Sequence, residues 1–188
     1  MVPITQAANA AVLVERTAGF PAEVALAQFM VETEGGKVVF ENNCFGVKAQ
    51  HGVGNGRQLL RTREWFTVLT KNGFLARGGG RTAEPHIENG KSVERGGLFL
   101  YDVRDYFATF ATLKDAFDYH GRLLQKGPYA FAWKQFQQDR DLTAYVRNIG
   151  VCYSTTTNYA DAVIQWMENP ELISAIATAR GVAKSTQR

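Results

Sequence analysis

No stretch of this 188-residue sequence stays apolar for the roughly eighteen residues that a membrane-spanning helix needs. Membrane insertion is therefore not expected. The N-terminus also lacks a basic segment followed by a long apolar core, so no secretory leader is visible. Cysteine is scarce. Cys44 and Cys152 are the only two, and they fit neither a CxxC pair nor a disulfide framework. Two buried free thiols are the expectation from the residues alone, with no metal and no cofactor. Lysine and arginine form no run. The net charge of +3 comes from interspersed charges, and a pI of about 8.9 is mildly basic. Such a balance favours an anionic polymer, but without a basic patch nucleic acid is not an expected partner. Gly78-Gly79-Gly80 lacks the flanking strand, helix and Lys-Ser/Thr of a phosphate loop and reads as a hinge. No internal repeat or low-complexity segment appears.

What is present is an ordinary globular composition, 45% apolar and 12% aromatic, in a length that suits one domain carrying a lobe. The most informative stretch is Phe20–Lys37. Pro21 suits the first turn of a helix. Val24, Ala25, Leu26, Ala27, Phe29, Met30 and Val31 then make that helix apolar almost all round, which marks it as buried. Gln28 and Glu32 interrupt it four residues apart, so they share a face. Gly35 and Gly36 stop it. A carboxylate there is penalised in its charged form by desolvation and by the negative end of the helix dipole. Both effects raise the pKa of Glu32, as a general acid near neutral pH requires. The alternative is a carboxylate on a frayed helix end that simply reaches water.

Along the chain, Thr5–Thr17 reads as a helix closed by Gly19. Asn42-Asn43-Cys44-Phe45-Gly46 mixes turn chemistry with residues that want burial. Arg57–Lys71 is expected to be a helix, with Leu59, Leu60, Trp65, Phe66 and Leu69 on overlapping faces. From Arg81 to Phe110 the period changes. Asn89-Gly90 signals a hairpin, and Gly97–Val103 and Tyr106–Phe110 read as two further strands, giving a β lobe at about 81–110. Helices resume: Leu113–Gln125, with a capping box at Thr112 and Asp115, Tyr129–Gln138, Asp141–Ile149 ended by Gly150, Tyr159–Glu168, and a last helix from Pro170 to about Ala183. Lys184–Arg188 reads as a frayed tail. His120, on the inner face of its helix, reads as a core histidine.

Four separated stretches together resemble one family. They are Ala27-Gln28-Phe29-Met30-Val31-Glu32-Thr33, then Asn42-Asn43-Cys44-Phe45-Gly46-Val47-Lys48-Ala49, then Phe117 to Leu124, then Tyr153-Ser154-Thr155 with Asn158-Tyr159-Ala160-Asp161. Their order and spacing resemble the glucosaminidase domain of bacterial cell-wall hydrolases, glycoside hydrolase family 73, over about Pro21 to Met167. The resemblance implies a mainly α (α+β), lysozyme-like helical domain with a small β-hairpin lobe beside a glycan cleft. The whole chain, 1–188, would be one catalytic domain and a monomer. The implied reaction is hydrolysis of the β-1,4 bond from N-acetylglucosamine to N-acetylmuramic acid in peptidoglycan glycan strands. The implied place of action is the cell wall, in the periplasm or outside the cell, reached as a trimmed chain, a phage lysin or by another export route.

By the same resemblance Glu32 falls on the catalytic acid, and Tyr153 on an active-site tyrosine that orients the substrate acetamido group or a water. Thr82-Ala83-Glu84 matches a lobe motif, making Glu84 the candidate second carboxylate. It would act either as base for an inverting attack or as a support for substrate-assisted chemistry. Gln28, Asn43, Phe45 and Tyr159 are the candidate substrate-binding residues. The motifs holding Cys44 and Cys152 would come together, making the two a close thiol pair or a disulfide. Three departures stand out: Glu34-Gly35 replaces a Gly-Trp, Phe107-Ala108-Thr109-Phe110 replaces Phe-Arg-x-Tyr, and Thr156-Thr157 replaces Asp-Pro. Two rival readings are a lysozyme-like muramidase or lytic transglycosylase, which cuts the alternate bond, and a noncatalytic wall-binding module.

Overall fold

The computed structural model describes residues 1–154 and 158–181. The residues fall into two compact units, Met1–Gly46 with Phe110–Arg188, and Val47–Thr109. The fold is the expected mainly helical α+β, lysozyme-like one. No helix among the described residues is long and apolar enough to cross a membrane.

The first unit is helical. It contains α1 (Ile4–Ala18), α2 (Ala22–Glu32), α4 (Leu113–Leu123), α5 (Ala130–Asp139), α6 (Leu142–Tyr153), α7 (Tyr159–Met167) and α8 (Pro170–Ala179). As its composition demands, α2 is buried along its length, from Ala22 to Met30. The rest of this unit's core includes Phe20, Phe117, Leu124, Tyr145, Ile149, Leu172 and Ile176, all shielded from water. The capping box at Thr112 and Asp115 is present with both of its hydrogen bonds. Thr155, Thr156, Thr157 and the expected helix end at Ala183 lie outside the described residues, as does the tail 184–188.

One helix end differs from the sequence reading in a way that matters for the site. Gly150 does not stop α6, which runs on to Tyr153. A Cβ at Gly150 would lie 3.2 Å from the Ala160 Cβ. The glycine is there so that α7 can approach α6 closely, not to end a helix. The consequence is that Tyr153 is on the last turn of α6, against Tyr159 at the start of α7.

The second unit holds β1 (Gly56–Phe66), α3 (Val68–Ala76), β2 (Thr82–Pro85), β3 (Ile87–Glu88), β4 (Lys91–Ser92), β5 (Glu94–Arg95) and β6 (Leu98–Thr109). Arg57–Lys71 is thus not one helix. Its first part is a strand paired antiparallel with β6 from Gly56↔Thr109 to Phe66↔Phe99. The helical spacing of its apolar residues was overridden by a long partner strand and period-two burial, with Arg61 and Arg63 exposed and Thr62 and Glu64 turned inward. The β unit accordingly begins near Val47 and not at Arg81.

β6 is also one strand where two were expected. Arg104-Asp105 can stay in the ladder because Asp105 is ion-paired on both sides, with Lys48 at 3.2 Å and Arg81 at 2.8 Å. β2 and β5 pair with β6 on its other edge. A small core of Phe74, Tyr101 and Val103, with Phe66, Leu75, Ala83 and Phe99 against it, holds α3 to one face. The Asn89-Gly90 hairpin is present, with both residues at positive φ.

Candidate active site

Glu32 is the last residue of α2. The chain turns sharply behind it. The buried Thr33 hydroxyl donates to the Phe29 carbonyl at 2.6 Å and accepts from the Gly36 N–H at 2.8 Å. Gly36 has no room for a side chain: a Cβ there would sit 2.2 Å from the Val2 carbonyl oxygen, and its φ is +84°. The Val2 N–H in turn donates to the Gly36 carbonyl at 2.8 Å. The helix end is therefore pinned. It is not frayed, although Glu32 itself is exposed.

Glu32 reaches the surface as a residue, as an acid that meets a ligand must. Its carboxyl is nonetheless crowded by protein, and desolvation raises its pKa above the ordinary 4.5, while a hydrogen bond donated by the Tyr159 hydroxyl pulls the other way. Tyr159 is 6% exposed. Its ring stacks on Tyr153 with centroids 5.1 Å apart, and its oxygen accepts hydrogen bonds from the Gln28 amide at 3.1 Å and from the Tyr153 hydroxyl. The phenols of Tyr153 and Tyr159 have their pKa values raised, first by burial and then by the Glu32 charge. Both stay neutral in ordinary conditions.

Behind Gln28 stands His120, its Nε2 3.1 Å from the Gln28 Oε1. Burial drives the His120 pKa down to about 3. The inner-face reading of this histidine is correct. Its ring stacks flat on Phe45, 3.8 Å away and 4° from parallel, and meets Tyr153 edge-on at 5.6 Å. The loop carrying Phe45 is anchored by its neighbour: the Asn42 side-chain amide donates to the Phe110 and Ala111 carbonyls at 2.9 and 3.2 Å.

The structure brings Gln28, Glu32, Phe45, Tyr153 and Tyr159 together, joined by His120. It does not leave them all free for a ligand. Gln28 is wholly buried and its amide is used on both sides, so direct substrate contact is corrected to an internal role. Asn43 and Phe45 are 7% and 6% exposed and offer little more than a floor. Tyr153 is half-buried on the rim of the group. Tyr129, which the sequence reading passed over, lies beside it at 6.5 Å between ring centroids. The signal for it was an aromatic at the start of a short helix, which on its own points nowhere.

Glu84 lies in the other unit. It is exposed on β2, paired in register with Asp102, and its neighbour Ala83 turns into the small core. Alternation therefore points Glu84 away from that core. Glu34 is exposed with φ +51°. Cys44 is buried and Cys152 exposed, and both are free thiols. Two buried thiols are thus corrected to one, and no disulfide joins them.

Comparison with known proteins gives the family and the fold. The family model for glucosaminidase, described as mannosyl-glycoprotein endo-beta-N-acetylglucosaminidase, matches residues 8–172. No curated protein matches in sequence. Among solved structures, the catalytic domain of the autolysin Auto from Listeria monocytogenes superposes with a TM-score of 0.62 at 16% identity, covering 92% of this chain and 84% of that one. Peptidoglycan hydrolase from Sphingomonas sp. A1 gives 0.57 at 17%, covering 95% and 94%. The C-terminally truncated glycoside hydrolase domain of Salmonella typhimurium FlgJ gives 0.55 at 17%, covering 88% and 91%.

Proposed function

The chain belongs to the glucosaminidase family, and from that premise we propose that it is a peptidoglycan hydrolase acting outside the cytoplasm. It cleaves the β-1,4 bond between N-acetylglucosamine and N-acetylmuramic acid, with Glu32 as the general acid. The observation that carries this reading is the setting of Glu32: a surface-reaching carboxyl at a pinned helix end, its pKa raised by desolvation. Similar folds include an autolysin, a peptidoglycan hydrolase and a glycoside hydrolase domain.

In the reaction, protonated Glu32 donates to the glycosidic oxygen as that bond breaks, and the proton leaves with the departing sugar hydroxyl. The positive charge that develops on the sugar ring is met by water activated by Glu84, or by the substrate's own acetamido oxygen with Glu84 in support. The Tyr153 hydroxyl, its hydrogen given to Tyr159, accepts from the substrate's acetamido N–H and so orients that group. The enzyme works as a monomer.

The test is digestion of purified cell walls by wild type and Glu32→Gln, with mass spectrometry of the released fragments. The expected products end in reducing N-acetylglucosamine, and the variant binds walls but releases almost nothing. Ends in N-acetylmuramic acid or its anhydro form would replace this reading with a muramidase or transglycosylase. Wall binding with no release by either protein would make it a binding module. Release of glycans from a high-mannose glycoprotein, with walls untouched, would move the substrate to the one in the family's description.

A further inference from the structure

We propose that His120, Gln28 and Tyr159 form a one-way chain of hydrogen-bond donors that ends on the Glu32 carboxylate, and that Gln28 and His120 are positioning residues for it. The inference rests on Glu32 being the proton donor. Its direction follows from what each atom can do. The Gln28 Oε1 is a carbonyl oxygen and only accepts, so the hydrogen of the buried, neutral His120 ring is on Nε2. With Oε1 facing the histidine, the amide NH₂ faces Tyr159 and donates to its oxygen. The Tyr153 hydroxyl donates to the same oxygen. With its acceptor capacity taken twice, Tyr159 has one role left, to donate its own hydrogen, and Glu32 receives it. A histidine on α4 thus decides which way a hydroxyl on α7 points, through a glutamine one turn before Glu32 on α2.

Phe45 supports the first link by stacking on the His120 ring, so an imidazole turned out of that plane would lose the contact. A buried network with every member satisfied holds a single arrangement, and none of its side-chain atoms lacks a partner among the described residues. The effect on Glu32 is twofold. The carboxyl is held in one position, and its ionised form is favoured against the desolvation that opposes it. The other groups facing it are the Tyr153 phenol and the Cys44 thiol, both neutral through burial, while the exposed Glu34 follows two residues on.

The experiment compares Gln28→Met, which keeps the volume but cannot donate, and Tyr159→Phe, which removes the last link. Expected for both is a kcat lower by roughly tenfold or more with KM within about twofold, and a basic limb of the pH–rate profile moved to higher pH because Glu32 loses a donor to its ionised form. Folded variants with the basic limb unmoved would overturn the chain, since a purely structural role lowers the rate without shifting it. Activity retained by Glu32→Gln would instead remove the proton-donor reading beneath it. Nitrogen-15 NMR of the wild type supplies a check that needs no variant: the His120 ring is expected as the Nε2–H tautomer, with no titration between about pH 4 and pH 8. An Nδ1–H tautomer would reverse the first link and end the proposal.

Discussion

The two units treat their polar groups in opposite ways. The helical unit takes a histidine, a glutamine and two tyrosines into its interior as neutral groups and connects them to one carboxylate. The β unit holds charged groups in ion pairs: Lys48 with Glu64 and with the buried Asp105, Arg81 with Asp105, and Arg63 with the exposed Asp102. Exposed pairs of this kind contribute little. A neutral buried network costs more when broken and holds its members in one geometry. The ion pairs fasten segments of the β unit to one another, and the neutral network sets the charge of one acid.

The sharpest way to break this comparison is at Glu32. Glu32→Gln is expected to lower wall hydrolysis by about 10²–10⁴-fold, yet to raise stability at neutral pH. The sign follows from its raised pKa. Below about 4.5 the folded and unfolded chains both hold the proton and nothing is lost. As pH rises past that value the unfolded chain ionises first, and stability falls until Glu32 ionises in the fold. Thermal melts at pH 7 and pH 4 check it: the variant's advantage should be present at the first and vanish at the second. Next in size, Gly150→Val forces a side chain against Ala160, 3.2 Å from where its Cβ would lie. It should cost about 1–3 kcal/mol in a denaturant titration, and reduce activity as well, because it separates Tyr153 from Tyr159.

Acid should undermine the units in a set order. His120 titrates near 6.5 unfolded but only near 3 when folded, so the unfolded chain binds a proton first and helical-unit stability declines as pH drops from about 6.5 toward 3. In the β unit, burial works against the Asp105 charge, but Arg81, Lys48 and the Tyr106 N–H outweigh it and the pKa is lowered from 3.8. Its contribution is intact above that value and is lost only below it. Hydrogen exchange near pH 5, done in Glu32→Gln to remove the opposing titration, should show loosening around α4 and α2 before β6. The smallest effect belongs to Asp102→Asn. Asp102 is exposed, with its pKa lowered by His86 and Arg63, and its loss should leave the melting temperature unchanged.

Much of this was legible in sequence because the helical unit announces itself locally. An apolar helix broken by Gln28 and Glu32 and a capping box at Thr112 each carry their own structural instruction. Apart from its Asn89-Gly90 hairpin, the β unit does not. Leu59, Leu60, Trp65 and Phe66 fit a helical face as well as a strand, and only pairing with β6 decides the matter. Gly150 reads as a stop signal until α7 is seen against it. The site was half visible for the same reason. Glu32 could be picked out from its own helix, but the links from His120 to Gln28 and from Tyr159 to Glu32 join residues on three separate elements. Gln28 was rightly singled out and wrongly aimed at the substrate, since a shared helix face says nothing about what fills it.

The most direct measurement is a carbon-13 NMR titration of the Glu32 carboxyl in the wild type and in Tyr159→Phe. The expected midpoint is above 4.5 in the wild type and higher still without the Tyr159 hydroxyl. A wild-type midpoint at or below 4.5, unmoved by loss of that hydroxyl, would contradict both the desolvated acid and the donor that tunes it.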